Sequence, residues 1–201
     1  MASASLTDVA FDLIDAAYAA ATDPGLWPEF ASRFERGLGS AVVVYAHPIE
    51  NPRASATQLS AGFDPDVSRA YNERLNAKNI LIINAARTRA SILTAEEVVS
   101  REELEASEFF NEFMAPQGLG EAVNLTLVAG GRHRISLAAM RSKARGGYGS
   151  EERRLLERLA PHLQRGMEVA QRLDLLYLRG AVTFAAFERL AAAAALVDDE
   201  G

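Results

Sequence analysis

The spacing of apolar residues changes several times along the chain, and each change marks a new structural element. From Leu6 to Ala17, apolar residues recur three and four positions apart, which predicts an amphipathic helix over residues 5–21. A second face with the same spacing, which contains Trp27, predicts another helix over residues 23–39. The chain therefore begins with two helices that each have one apolar side to bury.

Short runs rich in β-branched and aromatic residues predict a sheet of about five strands. These runs are residues 41–46, 56–63, 91–94, 121–129 and 133–141. The last two flank Gly130 and Gly131, a pair suited to a tight turn, and they predict an antiparallel hairpin. Asp-Pro opens a further predicted helix over residues 65–77. The aliphatic run at 80–83 fits either strand or helix, and we favour a helix over residues 78–89 because an alanine-rich segment follows.

The segment 107–119, SEFFNEFMAPQGL, carries three phenylalanines within about one and a half helical turns, and we refer to it as the lid. Phe109, Phe110 and Phe113 form one apolar ridge, which must pack against another element to leave water. The two strands that follow are the natural partners. The lid either completes a core or closes a pocket, and aromatic stripes at helical spacing more commonly do the former.

A long helix follows the predicted sheet from Ser150 onwards, with two glutamates in its first turn where the helix dipole favours acidic residues. Its leucines recur close to heptad spacing well beyond residue 170. Together these elements predict an α+β domain: a central antiparallel sheet of about five strands flanked by helices, with a long C-terminal helix.

Composition limits the function classes further. The 201 residues include no cysteine, which excludes disulfides, thiolate catalysis and thiolate-bound metals within this chain and fits a reducing compartment. The formal net charge of −6 argues against nucleic-acid binding through phosphate neutralisation by these residues. The N-terminal segment carries aspartates where a secretory signal would be basic, and no long apolar run predicts a membrane span. We therefore expect a cytoplasmic protein without membrane contact.

Catalytic and metal-binding patterns are weak. His47, His133 and His162 are the only histidines, they fall on three different predicted elements, and none has a carboxylate at metal-ligand spacing, so we expect structural roles. The sequence contains no nucleophile elbow, phosphate loop or dinucleotide fingerprint. We expect no catalytic residues, no metal and no cofactor, and hence not an enzyme.

Three segments resemble the N-terminal sensor regions of LuxR-type helix-turn-helix transcriptional regulators. They are the first helix followed by Asp23-Pro24 and Trp27, the lid leading into two strands, and the helix SEERRLL…APHL over residues 150–163. The resemblance spans about residues 6–190. In that family the sensor is a GAF/PAS-like domain, and a DNA-binding domain of four helices follows it.

This resemblance implies a sensor domain over residues 1–175 and a linker helix over 176–201 that leads towards a DNA-binding domain absent from this chain. The chain ends at Gly201, so we expect either a piece of a longer regulator or a stand-alone sensor. Acyl-homoserine-lactone receptors of the wider group carry a Trp-x3-Tyr and Asp-Pro pattern. The comparable region here is Tyr71-x3-Leu75, without tryptophan, which argues against that ligand.

Two function classes remain open. One is a sensor that binds a small apolar or amphipathic ligand between one sheet face and the helices opposite, and the other is a ligand-free dimerisation or interaction module. The predicted pocket residues are Val42, Val44, Leu59, Val123, Leu125 and Leu137 on strands, with Tyr71, Leu75, Phe109, Phe113 and Met114 on helices. A cavity above about 300 Å³ would favour the sensor, and its absence the module.

The long helix also predicts a homodimer. Its apolar seam continues farther than one domain of this size can cover, so its distal half should pair with a second chain. The predicted interface residues are Leu163, Met167, Leu173, Leu176, Tyr177 and Phe184. Pairing would place two DNA-binding domains side by side, as a two-fold operator requires.

Overall fold

A five-stranded antiparallel sheet forms the centre of the molecule, with strand order β2-β1-β5-β4-β3. We analysed a computed structural model that describes residues 5–88, 90–130 and 132–173. The strands are β1 (Ala41–Pro48), β2 (Ala56–Ala61), β3 (Ile92–Thr94), β4 (Leu119–Gly130) and β5 (His133–Ser142). The predicted α+β class and the antiparallel sheet are confirmed.

Two N-terminal helices precede the sheet, α1 (Leu6–Thr22) and α2 (Trp27–Leu38). Ser5 caps α1 through a reciprocal capping box with Asp8, which satisfies backbone donors that the first helical turn leaves free. The helix predicted over residues 23–39 starts with a 3₁₀ turn, because the Asp23 side chain accepts a hydrogen bond from the Gly25 backbone and tightens the entry.

Four short helices lie between β2 and β4. They are α3 (Pro65–Ala70), α4 (Ile80–Ala85), α5 (Ala95–Val98) and α6 (Arg101–Ala106). The ambiguous aliphatic run is helical, as favoured from the sequence. The helix predicted over 65–77 is instead α3 followed by a π-helical turn (Tyr71–Leu75) and a 3₁₀ turn.

The lid is helical but irregular. It forms a second π-helical turn (Phe110–Met114) and a 3₁₀ turn, and it ends at Gly118, whose φ of 68° favours glycine. The chain then enters β4 directly. The lid therefore lies beside the strands that follow it, as its position in the sequence predicted.

The sheet separates two apolar cores. On one face α1, α2 and the long helix cover Val42, Val44, Leu125 and Leu137. On the other face the short helices and the lid cover a second cluster. Because both faces are covered, both sets of alternating strand residues are largely apolar.

The long helix, α7, is helical over residues 150–173 and packs along α1. A Cβ on Gly166 would lie 3.5 Å from the Ala17 carbonyl oxygen, so the two helices cross closely where both carry small residues. His162 Nδ1 lies 3.2 Å from the Tyr18 hydroxyl and joins the same pair of helices.

Some of the predicted dimer-interface residues are buried within the chain's own core. Leu163 is fully buried in the core between α7 and the sheet, and Met167 packs at the edge of that core, so these two serve the chain's own packing. Leu173 is half-buried. Leu176, Tyr177, Phe184 and the predicted domain boundary at residue 175 lie outside the described residues.

Candidate functional site

A partly enclosed chamber lies on the lid side of the sheet. We call it the lid chamber. Its floor is formed by Val43, Tyr45, Ala122, Asn124, Ala138 and Met140, and its walls include Phe63, Tyr71, Leu81, Ile82, Val98 and Phe113. Its volume is about 50 Å³. That space holds a few water molecules, well short of the roughly 300 Å³ of ordinary ligand pockets.

The roof of the chamber contains both π-helical turns of the described chain. Tyr71 begins the first and Phe113 lies in the second, and their ring centroids are 4.8 Å apart. Phe113 also contacts Phe63 at 5.6 Å and Phe109 at 5.4 Å. π-helical turns are rare and occur frequently at functional sites. Two of them meeting over one chamber mark it as the candidate site.

Ion pairs join the two roof segments on their outer surface. Arg74 Nη2 lies 2.8 Å from Glu112 Oε2, and Lys78 pairs with Glu108. These four side chains are between 36% and 63% exposed, and pairs this open to solvent contribute only about 0.2–1 kcal/mol each. The roof is therefore held mainly by its aromatic contacts.

Polar groups inside the chamber are fixed by neighbours. The Tyr45 hydroxyl donates to Asn124 Oδ1 at 2.7 Å. Asn79 Nδ2 donates to the Tyr71 hydroxyl at 3.0 Å, while Asn79 Oδ1 accepts from two backbone N–H groups and caps α4. Each of these side chains thus has a defined orientation.

The chamber lining is electrically neutral. No Asp, Glu, Lys, Arg or His side chain of the described residues lines it. Burial raises the pKa of the Tyr45 phenol well above its usual range, and burial also raises the pKa of Tyr71. Both phenols therefore stay uncharged at neutral pH.

The structure divides the predicted pocket residues between the two sheet faces. Tyr71 and Phe113 line the lid chamber, and Leu75, Phe109 and Met114 are buried in the cluster around it. Val123 also borders the chamber, but it is buried in the core on the other face of the sheet. Val42, Val44, Leu125 and Leu137 lie in the opposite core, and Leu59 packs against that core. The predicted helix residues therefore surround the chamber, whereas most of the predicted strand residues lie on the other face of the sheet; ligand binding by either set stays a prediction.

Sequence reasoning missed most residues of the chamber's floor. Val43, Tyr45, Asn124 and Ala138 occupy the strand positions next to the predicted ones. One signal was present: Asn124 is an amide in the middle of an apolar strand, and a buried amide must find partners.

His47 is buried beside the chamber but does not line it. Its Nδ1 donates to the Pro48 carbonyl at 2.9 Å, and its ring stacks on Tyr45 at 6.2 Å. Burial lowers the pKa of His47, because desolvation opposes the imidazolium form. Its role in these contacts is structural.

A second concavity, the α1/α7 groove, lies on the opposite side of the molecule. It is lined by Leu6, Thr7, Ala10, Phe11 and Ile14 from α1 and by Glu151, Arg154, Leu155, Arg158 and His162 from α7. Its volume is about 630 Å³. Phe11 is 65% exposed, the most exposed large apolar side chain of the described residues. Among all the residues that the structure describes, no helix is both long enough and apolar enough to cross a membrane.

Comparison with solved structures defines the fold. The chain superposes on the LBD domain of VqsR from Pseudomonas aeruginosa with a TM-score of 0.63 and 18% identity, covering 81% of this chain and 96% of that one. It also matches a GAF domain/HD domain protein from Geobacter sulfurreducens with a TM-score of 0.52 and 14% identity, covering 86% and 99%. Neither the protein-family profiles nor the curated protein sequences give a match. The likeness establishes a GAF-like fold.

Proposed function

We propose that this chain is the sensor domain of a LuxR-type transcriptional regulator, and that it binds a small apolar or amphipathic molecule in the lid chamber. Binding would be coupled to DNA recognition by a helix-turn-helix domain outside this chain, in the cytoplasm. The chamber lining pairs no nucleophile with a base, so the proposed role is binding and not catalysis.

One observation carries this proposal: a neutral, mostly apolar chamber under two π-helical turns, in a fold shared with the VqsR domain. In GAF-like folds, as in others, function depends on the site and not on the fold alone. The chamber is the described site with a partly enclosed apolar interior and a few convergent polar groups, which is the usual character of small-molecule pockets.

The volume of about 50 Å³ favours the alternative, a ligand-free interaction module with a packed interior. The sensor proposal therefore requires the roof to move outwards when a ligand enters. The exposed ion pairs oppose that movement only weakly, so its main cost is the separation of the buried roof rings and of the hydrogen bond between Asn79 and Tyr71, which ligand contacts must replace.

Filling the chamber tests the proposal. Ala138 lies on its floor, so Ala138→Leu should occupy the space, whereas Ala56→Leu makes the same change at an exposed position of β2. We expect small uncharged molecules to raise the melting temperature of the wild type and of Ala56→Leu, but not of Ala138→Leu. If no compound shifts the wild type, and mass spectrometry of the denatured protein finds no co-purified molecule, the interaction module is the better account.

We further propose that two chains pair through the α1/α7 groove. Phe11 protrudes beside a concavity on the same surface, and a two-fold dimer brings such a patch against its own copy. Arg154 and Arg158 line the α7 wall, and Asp15 is exposed one turn after Phe11. Arginines of one chain can therefore meet Asp15 of the other. Such a dimer would set two DNA-binding domains side by side.

A further inference from the structure

We infer that the lid chamber selects an uncharged aromatic compound bearing one hydrogen-bond acceptor, such as a carbonyl oxygen, and that Asn124 binds that acceptor. The inference rests on the proposed sensor function and specifies its ligand class. It follows from three features of the chamber: its lining without charged side chains, its aromatic roof and the orientation of the Asn124 amide.

Charge selection follows from desolvation. A carboxylate or ammonium group moved from water into this chamber would meet no opposite charge among the lining residues. Burying an unpaired ion costs far more than burying a neutral polar group. The ligand is therefore neutral at physiological pH, in contrast to ligands bound by arginine or lysine clusters.

The roof favours a flat ring. Three aromatic rings surround one side of the space. The Phe113 ring centroid lies 4.8 Å from that of Tyr71 and 5.6 Å from that of Phe63. Aromatic rings gain from stacked and edge contacts beyond the apolar area they bury. On the floor opposite, Ala122 and Ala138 contribute only methyl groups, so a planar body fits between them and the roof when the roof lifts.

Asn124 supplies the polar contact. Its Oδ1 accepts from the Tyr45 hydroxyl, and this bond fixes the amide plane. No hydrogen bond of the described residues involves its Nδ2, and because the side chain is half-buried and lines the chamber, that donor is open to water or to a ligand. An unused donor in an apolar site discriminates between ligands, because a ligand without an acceptor leaves it unpaired.

The test uses matched compounds: acetophenone, ethylbenzene and benzoate, and the corresponding 2-acetyl, 2-ethyl and 2-carboxylate naphthalenes. Each set keeps the ring and changes only the acceptor or the charge. The variants are Tyr45→Phe and the double variant Tyr45→Phe/Asn124→Leu. The double variant removes both hydrogen-bond partners, so no buried polar group is left unpaired to unfold the protein. Tyr45→Phe is its control, because it keeps the Asn124 donor.

We expect dissociation constants for the ketone to be about five- to tenfold lower than for the hydrocarbon, the size of one neutral hydrogen bond, and at least about tenfold lower than for the carboxylate. Tyr45→Phe should keep the preference for the ketone, and the double variant should lose it. Equal or tighter binding of the carboxylate, or a preference that survives in the double variant, would overturn this inference while leaving the sensor function intact. If no member of either set binds the wild type, this inference fails, whereas the sensor function is decided separately by the thermal-shift comparison with Ala138→Leu and by mass spectrometry of the denatured protein.

Discussion

At the scale of single residues, Phe113 connects the lid to the rest of the roof. Its ring contacts Tyr71, Phe63 and Phe109, and it is 5% exposed. We expect Phe113→Ala to lower the free energy of unfolding by about 3–5 kcal/mol, because it removes a buried ring and leaves a void. Urea denaturation measures this value. A loss below about 1 kcal/mol, the size of an ordinary surface change, would mean that the ring does not hold the roof.

The buried Arg141 and the half-buried Glu152 form an ion pair between β5 and α7. The Arg141 guanidinium donates to both carboxylate oxygens, at 2.5 and 2.9 Å, and stacks 4.1 Å above the Tyr148 ring. The hydrogen bonds from Arg141 lower the pKa of Glu152 below its ordinary value. The carboxylate is therefore more acidic in the folded than in the unfolded chain, and its stabilisation is fully present above the unfolded pKa of about 4.3.

This pair gives the protein an acid-sensitive contact. As the pH falls through the lower folded-state pKa of Glu152, the stabilisation disappears. We expect Glu152→Gln to lower the free energy of unfolding at pH 7 by about 1.5–3 kcal/mol and to flatten the loss of stability below pH 4.3. Glu157→Gln, on an exposed side of the same helix, is the control. Identical acid profiles for wild type and Glu152→Gln would show that other carboxylates dominate.

At the scale of elements, the sequence predicted the strands well but not which face meets which helices. Alternation distinguishes two faces only when one of them is polar. Here Val42 and Val44 alternate with Val43 and Tyr45, and both sets are buried or half-buried because helices cover both sides. The pairing of faces with helices depends on tertiary packing, which residue spacing does not encode.

The two π-helical turns could not be predicted either. Residues 65–77 have ordinary helical spacing, and the wider turn from Tyr71 to Leu75 arises where this segment packs on the lid. The start of α4 is different, because Asn79 caps it, and an asparagine before an aliphatic run is a local signal that the sequence-based prediction did not use.

The π-helical turns should be the part of the fold that opens most easily. Hydrogen exchange followed by mass spectrometry should show faster exchange in peptides covering 65–78 and 108–118 than in α1, whose cap and core packing are regular. Adding a binding ketone should slow exchange in both roof peptides and leave α1 unchanged. Equal exchange in roof and α1 would contradict the opening that ligand entry requires.

At the scale of the whole molecule, the α1/α7 groove predicts self-association. We expect a dimer at tens of micromolar by sedimentation or light scattering, and Phe11→Glu should convert it to a monomer by placing a charge in the interface. Ile49→Glu, at another exposed apolar position outside the groove, should leave the dimer intact. If the dimer persists in Phe11→Glu but dissociates in Leu173→Glu, the interface lies on the distal part of α7, as the spacing of its leucines predicted.

The central claim is that the lid chamber is a ligand site, and a crystal structure with the tightest-binding aromatic ketone tests it most directly. We predict electron density between the Tyr71 and Phe113 rings and Ala138, with the carbonyl oxygen about 3 Å from Asn124 Nδ2 and the two π-helical turns displaced outwards. Density in the α1/α7 groove with an unchanged chamber, or an empty protein at saturating ketone, would contradict the claim.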